Sequence, residues 1–92
     1  MIIIKMKVLA KKYKELSQTI LSLTDSIRLE KGCLRCDFCR SIEDENELFL
    51  LEEWDVWDSL DNHFKSDYLK VLRGAVNLLQ EPYEIIYYSR HC

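Results

Sequence analysis

The 92 residues of this chain are 48% hydrophobic and 32% charged, with two Gly and one Pro, which indicates a single compact domain spanning residues 1–92 and argues against disorder. Its net charge of −3 arises from 13 basic and 16 acidic residues that are intermixed along the chain, so no nucleic-acid surface is predicted. No apolar run approaches the ~20 residues that span a bilayer, and the opening Met1-Ile2-Ile3-Ile4 is too short for a signal peptide, so we expect no membrane partner and a cytoplasmic location.

The first half of the chain predicts a strand and then a helix. From Ile2 to Val8, every second side chain is apolar, while the intervening positions include Lys5 and Lys7, as a half-buried strand requires. Apolar residues then recur at spacings of 3, 4, 3 and 4, which predicts a helix with one buried stripe. The stripe consists of Tyr13, Leu16, Ile20, Leu23 and Ile27. Gly32 is the expected stop of this helix.

Two further strands are predicted at Cys33–Arg40 and Glu47–Trp54. The acidic segment 41–46 between them is short enough for a hairpin loop. The strand Glu47–Trp54 has two apolar faces, because Phe49 and Leu51 alternate with Leu48 and Leu50, and in the last strand Ile86 and Tyr88 likewise alternate with Ile85 and Tyr87.

The last third predicts a broken helix and a final strand. Asp55 is the expected N-cap of a short helix that reaches His63, with Asp58 three residues after the cap. Ser66 is the expected cap of a second segment, in which Leu69, Leu72, Val76 and Leu79 follow helical spacing. Pro82 should end that segment, and Tyr83–Ser89 reads as the last strand.

The resulting order β-α-β-β-α-β is typical of an α+β, ferredoxin-like fold with a four-stranded antiparallel sheet. One face of the sheet can take the chain's own helices. The other face is also apolar, and a second copy of the sheet is the simplest cover for it. The pattern therefore predicts a homodimer that pairs through its sheet faces.

Several segments together resemble the antibiotic biosynthesis monooxygenase (ABM) family. Arg28-Leu29-Glu30-Lys31-Gly32-Cys33-Leu34 is similar to the family's helix end followed by a Gly-Cys pair. Glu52-Glu53-Trp54 resembles its Glu-x-aromatic at the end of the third strand, and His63 follows nine residues later. Ser66-Asp67-Tyr68 and the closing segment 82–88 also resemble the family, so the resemblance covers about residues 1–89.

This resemblance implies a dimeric α+β barrel with a pocket between the sheet and the helices of each subunit. It also implies oxidation of quinols or polycyclic phenols with O2, often without a cofactor. One departure is Cys36, which stands where many members have Tyr. The Asn, Trp and His set of haem-degrading relatives is not recognisable, since the first strand contains no Asn, so haem degradation is a lesser alternative.

His63 and Glu52 are the candidate catalytic residues. An imidazole titrates near physiological pH, so His63 could deprotonate a phenol to an anion that passes an electron to O2. Glu52 and Trp54 share one side of a strand, so Glu52 could orient His63 while Trp54 stacks on an aromatic ligand. The plainer interpretation is that His63 packs or hydrogen-bonds at a helix end, that Trp54 belongs to the core and that Glu52 is an ion-pair partner.

Further substrate-binding candidates are Tyr83, Tyr87 and Arg40. The two tyrosines share a strand face, and Arg40 could hold a substrate oxygen anion. Structural roles for the tyrosine hydroxyls and a solvated Arg40 are the alternatives. Trp57 is expected to be a packing residue.

Cys33, Cys36, Cys39 and Cys92 raise the question of a metal site. Residues three apart on a regular strand lie roughly 10 Å apart and point to opposite faces, whereas tetrahedral zinc needs ligands at a turn. We therefore predict no metal and interpret these thiols as small buried hydrophobes.

Three functions fit the sequence. The first is a cofactor-independent monooxygenase of a quinol or phenol. The second is a non-catalytic dimeric module that binds a small aromatic ligand. The third is a structural dimer whose pocket is filled by its own side chains, since a fold alone does not define a function.

Overall fold

The computed structural model describes residues 1–88, apart from the side chains of residues 68 and 69. Four strands form one antiparallel sheet in the order β2-β3-β1-β4, which confirms the predicted α+β ferredoxin-like fold. The elements are β1 (Ile2–Lys7), α1 (Tyr13–Arg28), β2 (Cys33–Arg40), β3 (Glu47–Trp54), α2 (Trp57–Phe64), α3 (Tyr68–Gly74) and β4 (Glu84–Tyr87). Short 3-10 turns at Ala10–Lys12 and Val76–Leu78 complete them.

The helices cover one face of the sheet, and the core lies between the two layers. Alternate residues of β1 and β3 are buried there, namely Ile2, Ile4 and Met6, and Leu48, Leu50 and Glu52. The predicted stripe of α1 packs against them through Leu16, Ile20, Leu23 and Ile27. Burial of each such aliphatic side chain stabilises the fold by about 1.5–3 kcal/mol. No helix in residues 1–88 is both long and apolar enough to cross a membrane.

The opposite face of the sheet, here called the outer face, carries a central apolar row. Leu51 pairs with Ile3, and Ile3 pairs with Ile86 across three adjacent strands. All three side chains and that of Phe49 are half-buried, and Tyr88 is exposed. The prediction that both faces are apolar therefore holds along this row, and no helix within residues 1–88 covers it.

The ends of the later helices differ from the sequence-based expectations. Val56 rather than Asp55 is the N-cap of α2, and Asp67 rather than Ser66 is the N-cap of α3. Neither observed N-cap residue makes a side-chain capping bond. The Asp55 carboxylate accepts from the adjacent Val56 N–H, and the Ser66 hydroxyl donates to the carbonyl of His63. Both capping predictions were wrong, since Asp55 accepts from the adjacent Val56 N–H and from the Ser59 hydroxyl, and Ser66 donates back to the preceding helix.

The third predicted helix segment is also shorter than expected. It ends at Gly74, well before Pro82, and Leu79 instead forms a β-bridge with Val8. Val76 is exposed in the following 3-10 turn. The last strand spans Glu84–Tyr87 rather than Tyr83–Ser89, and Ser89 lies outside the described residues.

A register shift between Cys33 and Arg35 in β2 changes the expected arrangement of the cysteines. Cys33 pairs with Trp54 and Cys36 pairs with Glu52, and directly opposed residues share a face. Both thiols therefore lie on the helix side, although three residues separate them, because the bulge inserts one extra residue. The expectation that all the thiols are buried was wrong, since Cys39 is exposed and Cys33 is half-buried. Cys92 lies outside the described residues.

Candidate functional site

His63, near the end of α2, lies between two carboxylates. Its Nδ1 is 2.7 Å from Oε2 of Glu30, and its Nε2 is 3.1 Å from Oε1 of Glu52. His63 is only 1% exposed and Glu52 is fully buried, while the Glu30 side chain is 31% exposed. Two acidic groups thus hold one imidazole from opposite edges in a largely dry environment.

Trp54 joins the same cluster. Its Nε1 donates a hydrogen bond of 3.0 Å to Oε1 of Glu52, the same oxygen that faces His63. The indole also stacks on the imidazole, with ring centroids 4.6 Å apart and planes 29° from parallel. Three residues predicted from the sequence, His63, Glu52 and Trp54, therefore lie in direct contact.

Glu30 is the member of this cluster that sequence reasoning missed. It lies in the turn between α1 and β2, close after the end of α1, where the helix dipole favours positive rather than negative charge. The presence of an acidic residue at that place, close to Arg28 and Lys31, was the feature of the sequence that could have identified Glu30 as a candidate. Its partner lies 33 residues away, a contact that helical or strand periodicity does not encode.

Gly32 explains how α2 approaches this turn so closely. Gly32 has φ of +90°, and a Cβ atom there would lie 2.6 Å from Oδ1 of Asp55 and closer still to the hydroxyl of Ser59. The backbone N–H of Asp55 donates to the Gly32 carbonyl at 2.9 Å. Only glycine accommodates both this φ and this contact, and the resulting packing brings Glu30 to His63.

The surroundings of the cluster shift the pKa values of His63 and Cys36. Burial by itself lowers the pKa of His63, but the hydrogen bond and charge of Glu52, together with the Glu30 carboxylate, raise the pKa above its usual 6.5. Burial and the nearby Glu52 charge raise the pKa of the Cys36 thiol to about 12. Cys36 is therefore an inert thiol at neutral pH.

A groove of about 800 Å³ opens at the end of the sheet where β1 begins and β3 ends. Its lining is largely apolar and aromatic: Met1, Ile2, Ile3, Leu34, Trp54, Val56, Trp57, Leu60, Tyr87 and Tyr88, with Glu53 and Asp55 as its acidic members. Trp57 is 66% exposed here, so its expected role as a packing residue was wrong. His63 is not among the residues that line this groove, whereas the Trp54 indole that stacks on it forms part of the wall.

The other predicted substrate-binding residues, Tyr87, Tyr83 and Arg40, lie in three different parts of the structure. Tyr87 lines the groove, and its ring makes a T-shaped contact with the Phe64 ring, with the two ring centroids 6.4 Å apart. Tyr83 packs against the core instead. Arg40 pairs with Leu48, four residues along β3 from Glu52 or roughly 13 Å, so the structure does not bring it to the cluster.

Arg40 has other partners at its own end of the sheet. Its guanidinium lies 4.5 Å from the centroid of the Tyr13 ring, and its Nε donates to the carbonyl of Glu45 at 3.0 Å. These contacts fix the start of α1 and the hairpin loop, which is a structural role.

Within residues 1–88, no three His, Cys, Asp or Glu side chains are grouped so as to hold a metal ion. Cys33 and Cys36 share a face with Glu52, but Cys39 pairs with Phe49 on the outer face. The bulge removes the sequence-based argument that separated Cys33 from Cys36. It does not bring the third thiol to them.

Comparisons with known proteins agree with this architecture. A protein from Methanosarcina mazei Go1 of solved structure is 28% identical, with a TM-score of 0.92 over 98% of this chain and 90% of its own. A Caulobacter crescentus CB15 protein, provisionally identified as an antibiotic biosynthesis monooxygenase, is 26% identical, with a TM-score of 0.87 over 98% and 87%. A Nitrosomonas europaea protein with the same provisional identification shares the fold at 18% identity, with a TM-score of 0.87 over 97% and 95%.

No curated protein matches the chain. The family model for antibiotic biosynthesis monooxygenase matches residues 1–74, which include α1, the first three strands and the whole Glu30–His63–Glu52–Trp54 cluster. The chain therefore belongs to the antibiotic biosynthesis monooxygenase family.

Proposed function

We propose that this chain is a monooxygenase that oxidises a quinol or polycyclic phenol with O2, without a cofactor, in the groove beside Trp54. The aromatic lining of that groove is the observation that carries the proposal. Trp54, Trp57, Tyr87 and Tyr88 offer flat apolar surfaces on which a fused ring system can stack. A volume of about 800 Å³ lies within the range of small-molecule sites.

The proposed chemistry balances without a further reductant. A phenol with a hydrogen on its para carbon loses the hydroxyl proton and gives an electron-rich anion, which passes an electron to O2. A new bond forms between the para carbon and oxygen, and loss of the ring hydrogen leaves a second carbonyl. One oxygen atom enters the quinone, and the other leaves as water with the two hydrogens. The phenol is oxidised by four electrons and O2 is reduced by four.

Glu53 is the proposed proton acceptor. It lines the groove, whereas His63 lies behind Trp54 with both ring nitrogens facing carboxylates. Direct proton transfer to His63 would require the indole to move aside. Asp55 also lines the groove, but hydrogen bonds from Ser59 and the Val56 N–H lower its pKa, which makes it a weaker base than an ordinary aspartate.

The proposed assembly is a homodimer through the outer face. The row Leu51–Ile3–Ile86 crosses three strands, and it is flanked by the Lys5–Glu47 ion pair at 3.2 Å. An apolar centre with a charged rim is the usual composition of a subunit interface. A cytoplasmic location remains a proposal as well.

Oxygen uptake with a panel of dihydroxynaphthalenes and polycyclic phenols tests the function. Glu53→Gln should lower kcat about 100-fold, the usual magnitude for a general base, while Glu43→Gln is the matched control. Glu43 is an exposed carboxylate in the hairpin loop, so its loss should leave kcat unchanged. Uptake that is unaffected by Glu53→Gln but abolished in folded His63→Gln would return the role of base to His63.

The second candidate function is a non-catalytic module that holds a small aromatic ligand. The burial of His63 behind Trp54 favours it, because the part of the groove formed by residues 1–88 then has stacking surfaces but no imidazole. A ligand-dependent rise in Tm without oxygen uptake would identify this function.

A further inference from the structure

We propose that His63 acts as a positively charged bridge between Glu30 and Glu52, and that it thereby fixes the indole of Trp54 as the wall of the groove. The assignment of the groove as a binding site rests on the proposed function. The bridge itself does not. His63 is in this view a positioning residue for Trp54 rather than the group that takes the substrate proton.

With both neighbouring carboxylates ionised, the donor inventory of the ring favours the charged form. A neutral imidazole has one N–H and one lone pair, so it can donate to only one of its two carboxylate neighbours. Its other nitrogen would then face a carboxylate oxygen lone pair to lone pair. Both contacts, 2.7 Å to Glu30 and 3.1 Å to Glu52, lie within the donor–acceptor distance of a hydrogen bond, and an imidazolium carries a proton on each nitrogen for these two neighbours.

Glu52 connects His63 to Trp54 through a single carboxylate oxygen. Its Oε1 is the acceptor for the indole Nε1 at 3.0 Å and faces His63 Nε2 at 3.1 Å. An oxygen with two such donors is best satisfied as part of an ionised carboxylate. Since Glu52 is fully buried, that anion needs a cation beside it, and the His63 imidazolium supplies one.

The charges around the ring come from two other elements. Glu52 on β3 and Glu30 in the turn after α1 are the carboxylates that act on it. Within residues 1–88, other titratable groups near these carboxylates include the thiols Cys33 and Cys36 of β2 and the guanidinium of Arg28, which donates to the Cys36 carbonyl and faces Asp37. Trp54 adds the face of its indole, which attracts a cation stacked on it.

Fluorescence of Trp54 gives a direct readout that needs no ligand. The chain has two tryptophans, so Trp57→Phe leaves Trp54 as the only indole emitter. A stacked imidazolium quenches indole emission much more strongly than a neutral imidazole does. The emission of this variant should therefore rise with pH as His63 loses its proton, with a midpoint above the ordinary value for histidine.

Glu30→Gln in that background separates the bridge from a merely structural histidine. Loss of the Glu30 charge should move the midpoint to lower pH by roughly one unit, the size expected for removal of an adjacent charge. Glu43→Gln in the same background should leave the midpoint unchanged. A flat emission profile, or a midpoint that Glu30→Gln does not move, overturns the proposal.

Nitrogen NMR supplies the second measurement. The other histidine of the sequence is His91, so His91→Gln leaves a single imidazole to observe. At neutral pH both ring nitrogens of His63 should carry protons, and a single protonated nitrogen would overturn the bridge. If both measurements succeed while no phenol binds or reacts, the bridge stands and the proposed function fails.

Discussion

Replacement of Gly32 by Ala should destabilise the protein by about 2–5 kcal/mol. The positive φ of +90° costs a residue with a side chain about 1–2 kcal/mol. The new Cβ would also lie 2.6 Å from Oδ1 of Asp55 and still closer to Ser59 Oγ, and such overpacking adds about 1–3 kcal/mol. For a domain of this size the sum corresponds to a fall in Tm of about 10 °C or more.

Thermal and urea unfolding measure this effect, and Gly74→Ala is the matched control. A Cβ at Gly74 meets no atom within 4 Å, and alanine is the better helix former by about 1 kcal/mol, so Tm should stay the same or rise. Gly32→Ala combined with Ser59→Gly should recover part of the loss, because it removes one of the two overlaps. A Tm for Gly32→Ala within about 2 °C of the parent protein would refute the reasoning.

The same substitution should disturb the cluster, since α2 must move away from the turn to admit the new methyl group. In the Trp57→Phe background, Gly32→Ala should therefore shift the fluorescence midpoint in the same direction as Glu30→Gln. An unchanged midpoint in a destabilised protein would show that the turn supports the fold without setting the His63–Glu30 contact.

Two further predictions concern stability and assembly. Because the folded-state pKa of His63 lies above 6.5, its contribution to the free energy of unfolding is complete below about pH 6.5 and is lost as pH rises through the folded pKa. The stability difference between the parent and His63→Gln should therefore shrink as pH rises above about 6.5, and a growing difference would contradict this. Light scattering should give about twice the 11.0 kDa chain mass for the parent protein, whereas Leu51→Glu should give the monomer mass. The control is Leu21→Glu, which changes an exposed leucine of α1 and should remain dimeric. A dimeric Leu51→Glu would exclude the outer face as the interface.

The fold was predictable from the sequence because periodicity carries it. The alternation in β1 and β3 and the stripe of α1 each fix which residues face the core, and the order of the elements then leaves one familiar topology. The caps were not predictable in this way. Asp55 and Ser66 have the right side chains for capping, but nearby backbone groups and Ser59 compete for them, and composition does not rank such competitors.

The site was predictable only where strand geometry placed it. Glu52 and Trp54 share a face because they lie two residues apart on one strand, and this part of the prediction is confirmed. Glu30 was missed because a contact across 33 residues depends on how α2 docks on the α1–β2 turn. The bulge near Cys33 was missed for a related reason, since a register shift leaves no mark in an otherwise regular strand pattern.

The turn between α1 and β2 therefore determines which charged group lies beside His63 of α2. Gly32 lets the helix approach, Glu30 meets His63 once it has approached, and the second carboxylate, Glu52, couples the imidazole to Trp54. With an acid on each side, the imidazole holds its proton more tightly than a free histidine does, which suits a fixed cation better than a base that must be neutral near pH 7. In the proposed function, the cluster therefore supports the groove wall at Trp54, and the proton of a phenol would pass to a carboxylate that lines the groove, such as Glu53.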